Sequence, residues 1–349
     1  MKDVTETIAW TMVTFTGLSL VRSTYWWIRI FDFPRIQVAA IITFILGVYP
    51  YFHTVDHWLE YVLLGLLIVA LAVQIRYIFP FTVLARKQAL SYERPDPDNT
   101  IRIMVSNVRM ENREAEKFKE IVRSVDPDLL LVNEPNAWWA DQLAELDERL
   151  PYSVKKPLEN TYGMMLFSRF ELRDSEVRFL VTEGIPSIFT RVVLRSGEAI
   201  EFNGVHPQPP TFMKNTEDRE AELLLVGKMV KKSNGASIVA GDLNDVGWSH
   251  TTHLFQRISG LLDPRLGRGF FNTYSVFVPL FRYPLDHIFY DPRFRLVKLE
   301  RLPPYGSDHF PICIELVYQP DKQHKQNPAT ATTEDHQEAA KLIAKGMEN

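Results

Sequence analysis

The 349-residue chain carries a single cysteine, Cys313. One thiol forms no internal disulfide and no cysteine-based zinc cluster, so a disulfide-stapled scaffold and a zinc ribbon are both excluded. The sequence also lacks an H-E-x-x-H helix, a G-x-x-x-x-G-K-S/T loop and a G-x-S-x-G elbow, which argues against a zinc hydrolase, a nucleotide triphosphatase and a serine hydrolase. Neither sign of charge dominates, since 39 basic and 43 acidic residues leave a net charge of −4. With 46% hydrophobic residues and a mean hydropathy of −0.11, the averages describe an ordinary soluble protein and exclude a collagen-like or wholly disordered chain.

The averages hide a segregation. Residues 1–99 hold 8 basic and 8 acidic residues, leaving 31 and 35 for the rest. Ile36–Phe52 has no formal charge, and Leu59–Phe79 carries only Glu60 near its start and Arg76 near its end. At roughly 20 apolar residues per span, both are long enough to cross a bilayer. Thr7–Val21 is a third, shorter candidate, rich in threonine. Tyr25, Trp26, Trp27, Tyr51 and Trp58 flank these runs as interfacial aromatics do. No basic leader or small-residue cleavage site precedes the next apolar run, so the segments read as spans rather than as a removed signal peptide.

The chain therefore divides into a membrane region over residues 1–85, an exposed linker over 86–99 with two X-Pro steps, a domain over 100–319 and a polar tail over 320–349 without aromatics. Within the domain, apolar runs read as strands: IRIMVSNV, LLLVNE, GMMLFS, ELRDSEVRFL, SIFTRVVL, AIEFNGVH, SIVAGDLN, LDHIFY, FRLVKLER and PICIELVY. Helices are expected around Phe118–Val125 and over Trp138–Leu150, Thr216–Lys232 and His250–Ser259, with one more in the tail over Glu334–Met347. Consecutive strands with isolated helices predict an α/β fold of two packed mixed β-sheets flanked by helices, a four-layer α/β sandwich, preceded by N-terminal transmembrane helices.

Polar residues punctuate the strand ends, where an α/β scaffold presents its working groups. They are Asn107, Glu134, His206, Asp242, Asn244, Asp286 with His287, and Asp308 with His309. One such residue is usually a turn former, but a set spread over separate strands points to a site. Carboxylate and amide oxygens suit a hard divalent cation, Mg2+ or Mn2+, and the set suggests metal-assisted hydrolysis of a phosphate ester.

The segments SNVRMEN (106–112), LLLVNE (129–134), GVHPQPP (204–210), GDLND (241–245), LDHIFY (285–290) and GSDHFPI (306–312) together resemble the ordered motifs of the endonuclease/exonuclease/phosphatase family. That group contains pancreatic deoxyribonuclease, apurinic-site endonucleases, neutral sphingomyelinases and inositol polyphosphate 5-phosphatases. The H-P-x-P-P run and the GDLND-x-x-WS continuation are most similar to a bacterial membrane-anchored branch. The resemblance implies that Glu134 is the principal metal carboxylate, with Asn107 and Asp308 completing or buffering the oxygen shell, partly through water. It implies that His309, oriented by Asp286, is general base or electrostatic partner to the attacking water, and that His206 and Asn244 donate hydrogen bonds to phosphoryl oxygens. It further implies that Asp242 positions or deprotonates the nucleophile, or assists the leaving group. Asn133 stands where glutamine is common and His287 where an aromatic often sits; His287 reads as a packed strand residue. Asn112 reads equally as a residue behind the site or a helix start, and Trp248 as a substrate border or plain packing.

The family's substrates range from nucleic acids to lipid head groups and soluble phosphates. Residues 100–349 are slightly acidic, whereas a nonspecific nucleic-acid binder shows a basic face. A tethered domain meets lipid-linked phosphates at high effective concentration. The expected partners are thus the bilayer and a phosphorylated substrate, with a lipid-linked phosphate ranked ahead of DNA or RNA and of a catalytically inactive, ligand-binding scaffold. Arg22, Arg29 and Arg35, with Arg76, Arg86 and Lys87, place the domain in the cytoplasm by charge counting. The membrane-anchored branch instead implies a multi-pass cell-membrane protein whose catalytic domain is extracytoplasmic, and this is the reading adopted.

Overall fold

Side chains alternate across a strand, so a strand covered on both faces reads as an almost unbroken apolar run. The computed structural model, which describes residues 2–93, 96–210 and 214–348, is built around such strands. A six-stranded sheet has the order β10-β11-β1-β2-β4-β3, formed by Phe294–Arg301, Ile312–Tyr318, Thr100–Asn107, Leu129–Asn133, Met164–Ser168 and Tyr152–Lys156. A five-stranded sheet has the order β5-β6-β7-β8-β9, formed by Leu172–Arg178, Ser187–Val193, Ala199–Gly204, Ser237–Asp242 and Asp286–Tyr290. Both are mixed. β1 and β2 run parallel, as do β7 and β8, and the other pairs are antiparallel.

Along β1, Ile103 and Val105 face the second sheet, where they meet Phe202, Ile238 and Ile288 in the central core. Met104 between them faces outward, beneath Phe118, Val122 and Trp139. The outer face of the second sheet is covered by Leu223, Val226 and Phe255. These come from α5 (Ala115–Val125), α6 (Ala137–Gln142), α7 (Glu217–Lys232) and α8 (His250–Ser259), giving four layers. α9 (Thr333–Met347) docks on α7 and α8 through Ala339 against Leu224, Leu254 and Ile258.

Three local expectations differ from the structure. β3 is not among the expected strands, because it is an edge strand, largely exposed and lysine-bearing. The helix expected over Trp138–Leu150 stops at Gln142 and continues as a 3-10 turn over Ala144–Glu148. Much of the expected exposed linker is docked: Leu296 donates its N–H to the Leu90 carbonyl and Tyr92 to that of Leu296, pairing backbone groups of the outer strand β10. Arg94-Pro95, one of the linker's X-Pro steps, lies outside the described residues.

The N-terminal region is a three-helix bundle of α1 (Lys2–Leu18), α3 (Arg35–Phe52) and α4 (Trp58–Ile78), packed through Ala9, Ile42, Tyr49, Leu63 and Leu67. Among the described residues two helices, spanning Arg35–Phe52 and Trp58–Phe81, are long and apolar enough to cross a membrane, and only 33% and 22% of their apolar stretches are buried. Phe44, Tyr61, Ile68 and Val69 point outward. Lys2 bonds Glu60 and Thr54, so the chain start and the α3–α4 turn share one end of the bundle.

The other end is welded to the domain. The connection between α1 and α3, with its short helix α2 (Trp26–Arg29), and the residues after α4 pack into it. Phe81 is fully buried against Trp248 and Phe270, and the Trp248 indole donates to the Asp32 carbonyl at 2.7 Å. Trp248 is therefore a packing residue at this junction.

Candidate active site

The two parallel strand pairs deliver the site. β1 and β2 end at Asn107 and Asn133, which lie opposite each other, and Glu134 follows. β7 leads into His206, and β8 ends at Asp242, opposite Asp286 at the start of β9. The loop before β11 supplies Asp308 and His309.

Close backbone approaches set two of these positions. Glu134 adopts a left-handed φ of 64°, its N–H held by the Gly163 carbonyl at 2.9 Å. A Cβ on Gly163 would fall 1.9 Å from the Pro135 carbonyl, so glycine is required for that approach. Gly241, at φ 145°, lies so close to Val205 that a Cβ would sit 1.8 Å from its carbonyl; this crossing brings His206 beside Asp242.

The side chains converge. Asn107 Nδ2 donates to Glu134 Oε1 at 2.7 Å and to Asp242 Oδ2 at 3.0 Å. His309 Nδ1 lies 2.7 Å from Asp286 Oδ2, and its Nε2 lies 3.5 Å from Asp242 Oδ2. His206 Nε2 is 3.9 Å from the same oxygen. Ligand atoms of Glu134, His206 and Asp242 lie within 4.8 Å of one another, as do those of Asp242, Asp286 and His309. Asn244 donates its backbone N–H to Asp242 Oδ1 and one amide N–H to the Pro207 carbonyl, leaving its second amide hydrogen for another partner.

Asn107 Oδ1 accepts the Arg109 N–H at 2.9 Å, which turns Nδ2, not oxygen, toward the carboxylates. In this arrangement Asn107 bridges Glu134 and Asp242. Asn112 makes a helix-start turn, accepting the Glu114 N–H ahead of α5. His287, as expected, is packed away: it sits between Arg265 and the Asp245 carbonyl, and burial, with Arg265 adding, pushes its pKa down to about 3.

The electrostatics suit a divalent cation. Burial pushes the Glu134 carboxyl up to about 7, with Asp242 and Asp308 adding to the effect and Asn107 and His309 opposing it. Burial also raises Asp242, with Asp286 adding, and lowers His206. Burial alone would lower His309, but Asp286 and Asp242 outweigh it and hold the imidazole at about 10. Asp286 Oδ1 and His206 Nδ1 are buried without a hydrogen-bond partner. Oxygen-rich, crowded and more acidic than basic, the donor set suits a hard divalent ion.

Several supporting residues carry no signal in the sequence. Tyr305 and Ser307 donate to the Asn107 carbonyl, Thr273 Oγ1 accepts the Asp286 N–H, and Arg219 donates to the Asn244 carbonyl at 2.6 Å. Ser307 stands inside a recognisable segment, but Arg219 is an ordinary helix arginine until the fold aims it at the GDLND loop.

Carboxylates and imidazoles at the carboxyl ends of two parallel strand pairs, on a four-layer sandwich, define a metal-dependent hydrolase acting on phosphate esters. The Endonuclease/Exonuclease/phosphatase family model matches residues 104–309, and the chain belongs to that family. The structure is similar to D. rerio TDP2 complexed with single-strand DNA product, at 18% identity over 63% of this chain and 99% of that one, with a TM-score of 0.54. It is also similar to an endonuclease/exonuclease/phosphatase family protein from Bacteroides thetaiotaomicron (18% identity, 68% and 100% covered, TM-score 0.53). A third likeness is to the human nocturnin catalytic domain with bound sulfate (18% identity, 69% and 99% covered, TM-score 0.51). At these identities the likeness is one of fold. No curated protein matches the sequence.

Proposed function

We propose that this chain is a membrane-anchored, divalent-metal-dependent phosphoesterase that hydrolyses a lipid-linked phosphate ester or pyrophosphate, with its domain on the extracytoplasmic side. The observation that carries the reading is the buried Glu134–Asp242–His309–Asp286 cluster, set in a domain whose own packing includes the base of an apolar helix bundle. A divalent cation, Mg2+ or Mn2+, beside Glu134 and Asp308 would polarise a phosphoryl oxygen and acidify the attacking water.

The chain's own groups do the rest. Asp286 fixes Nδ1–H of His309 and leaves Nε2 toward Asp242. Held charged, His309 is an electrostatic partner for the phosphoryl group, while Asp242, made more basic by burial, accepts a proton from the nucleophile. His206, kept neutral by burial, and the free amide hydrogen of Asn244 donate to the charge that builds on the phosphoryl oxygens.

With α1 crossing beside α3 and α4, the chain start lies opposite the domain. The arginines that favour a cytoplasmic domain are partly consumed: Arg29 pairs with Asp32 and Glu220, and Arg35 with Asp32, all buried. Such pairs are not free loop charges, so the count loses weight.

The test uses intact cells expressing the full chain and a membrane-impermeant diester, bis(4-nitrophenyl) phosphate. Turnover is expected before permeabilisation, with Mg2+ or Mn2+ and not with EDTA, and His309→Ala is expected to lower it by about 10²–10⁴. Activity that survives EDTA, or survives both His309→Ala and Glu134→Ala, overturns the chemistry. Activity seen only after permeabilisation overturns the placement, and a preference for plasmid DNA over a lipid pyrophosphate overturns the substrate.

A further inference from the structure

Between the base of the helix bundle and the active site lies a cavity of about 820 Å3. Phe15, at the end of α1, with Ile30, Phe31 and Phe33 from the following connection, forms one wall. Tyr274, Val278 and Phe281 form the other. Its size is that of a ligand pocket, and its lining is almost wholly apolar.

The second wall adjoins the active site. The Tyr274 ring lies 5.1 Å from that of His309, and the Val276 N–H donates to the Asp308 carbonyl at 2.8 Å. Pro210, the last residue of the H-P-x-P-P run that begins at His206, also lines the cavity. The first wall belongs to the helix bundle, whose outward face is apolar. Between the two, the 277–281 loop is held to α3 by Gln37 donating to the Leu280 carbonyl at 2.6 Å. That loop exposes Phe277 (56%), Leu280 (66%) and Phe281 (50%) on the side where α3 begins. Water does not favour such a rim, whereas a bilayer surface does.

We infer that this cavity is a binding site for the hydrocarbon chain of a single-chain lipid phosphate drawn from the bilayer, and that it orients the phosphate toward the Glu134–Asp242 cluster. This rests on the phosphoesterase reading and adds what that reading leaves open, a subsite selecting for the apolar part of the substrate. Each methylene buried there is worth about fourfold in affinity. The committed occupant is one hydrocarbon chain, because the lining is apolar, one wall adjoins the helix bundle, and the other carries Tyr274, whose ring packs on that of His309.

The test compares two diesters with the same leaving group, 4-nitrophenyl dodecyl phosphate and 4-nitrophenyl methyl phosphate, on the full chain in lipid nanodiscs. The dodecyl ester is expected to have the higher kcat/KM. Phe281→Glu and Val278→Asp, both at exposed positions where folding tolerates polarity, are expected to cut the dodecyl-to-methyl ratio at least about tenfold through KM, and Phe281→Leu to restore it. A second readout needs neither metal nor turnover. In EDTA, a dodecylphosphonate with a terminal diazirine is expected to label peptides within residues 26–34 and 274–283, and to lose that labelling in Phe281→Glu. An unchanged ratio with active enzyme, or labelling confined to the outer faces of α3 and α4, overturns the groove while leaving the hydrolase reading intact. Labelling as expected with no hydrolysis of either ester overturns the hydrolase reading and leaves the groove standing.

Discussion

Arg29 joins the membrane region to the catalytic loop, and its removal has a calculable cost. Its guanidinium lies 2.9 Å from Asp32, 3.1 Å from Glu220 and 4.0 Å from Asp245, and donates to Thr251 at 2.7 Å. Only 4% of the residue is exposed. Burial works against its charge, but Glu220, Asp32 and Asp245 more than compensate and raise its pKa. In Arg29→Ala, Asp32 keeps Arg35 at 3.0 Å and Asp245 keeps Arg219 at 3.5 Å. Among the described residues Glu220 keeps the Thr216 hydroxyl and a guanidinium 3.9 Å away, so one carboxylate is left buried and nearly unpaired. Breaking a buried pair from one side costs about 3–5 kcal/mol. At about 2 °C or more per kcal/mol for domains of 150–250 residues, the melting midpoint of the detergent-solubilised full chain is expected to fall by at least about 6 °C. Arg29→Leu combined with Glu220→Leu removes both charges and is expected to recover part of the loss, a positive coupling in the double-mutant cycle. A melting midpoint within about 1 °C of wild type in Arg29→Ala would refute the reasoning, because a charge that costs nothing to orphan was not dry.

Two further outcomes follow from buried features elsewhere in the domain. Burial raises the Glu222 carboxyl from the ordinary 4.5 to about 7, with Asp218 adding and the Ser187 hydroxyl opposing. Folding therefore favours the protonated form, and that stability is full below about pH 4.5 and is lost as pH rises through 7. Glu222→Gln, which cannot ionise, is expected to gain about 3 kcal/mol on the wild type between pH 4.5 and 8; a pH-independent difference in denaturant unfolding would contradict this. Gly241→Ala drives a Cβ into the Val205 carbonyl at the crossing that sets His206 and Asp242. A displacement of about 1 Å there is expected to lower kcat/KM by about 10², so wild-type kinetics for this variant would show that the crossing is not what aligns the site.

The strands were legible because two-sided burial imposes near-continuous apolar runs, as in SIVAGD, where all six residues are buried. The edge strand β3 was not, since exposure frees its composition. The site was legible for a related reason. Asn107, Glu134, Asp242 and Asp286 stand at or just beyond the ends of strands whose interiors are mostly apolar, so each is conspicuous as a candidate.

What the sequence determined by itself was thus the identity of the chemical groups and the elements that carry them, because burial and strand periodicity act locally on the chain. Only the tertiary structure decided how those groups face one another. Asn107 turns its N–H to the carboxylates because the Arg109 backbone claims its oxygen. Arg29 and Arg219, remote in sequence, meet at Asp245 and brace the GDLND loop. The apolar cavity between Phe15 and Tyr274 exists because the helix bundle is packed against the domain rather than hung from it. Contacts between residues 100 or more apart depend on where the chain returns in space, and no local pattern encodes that return.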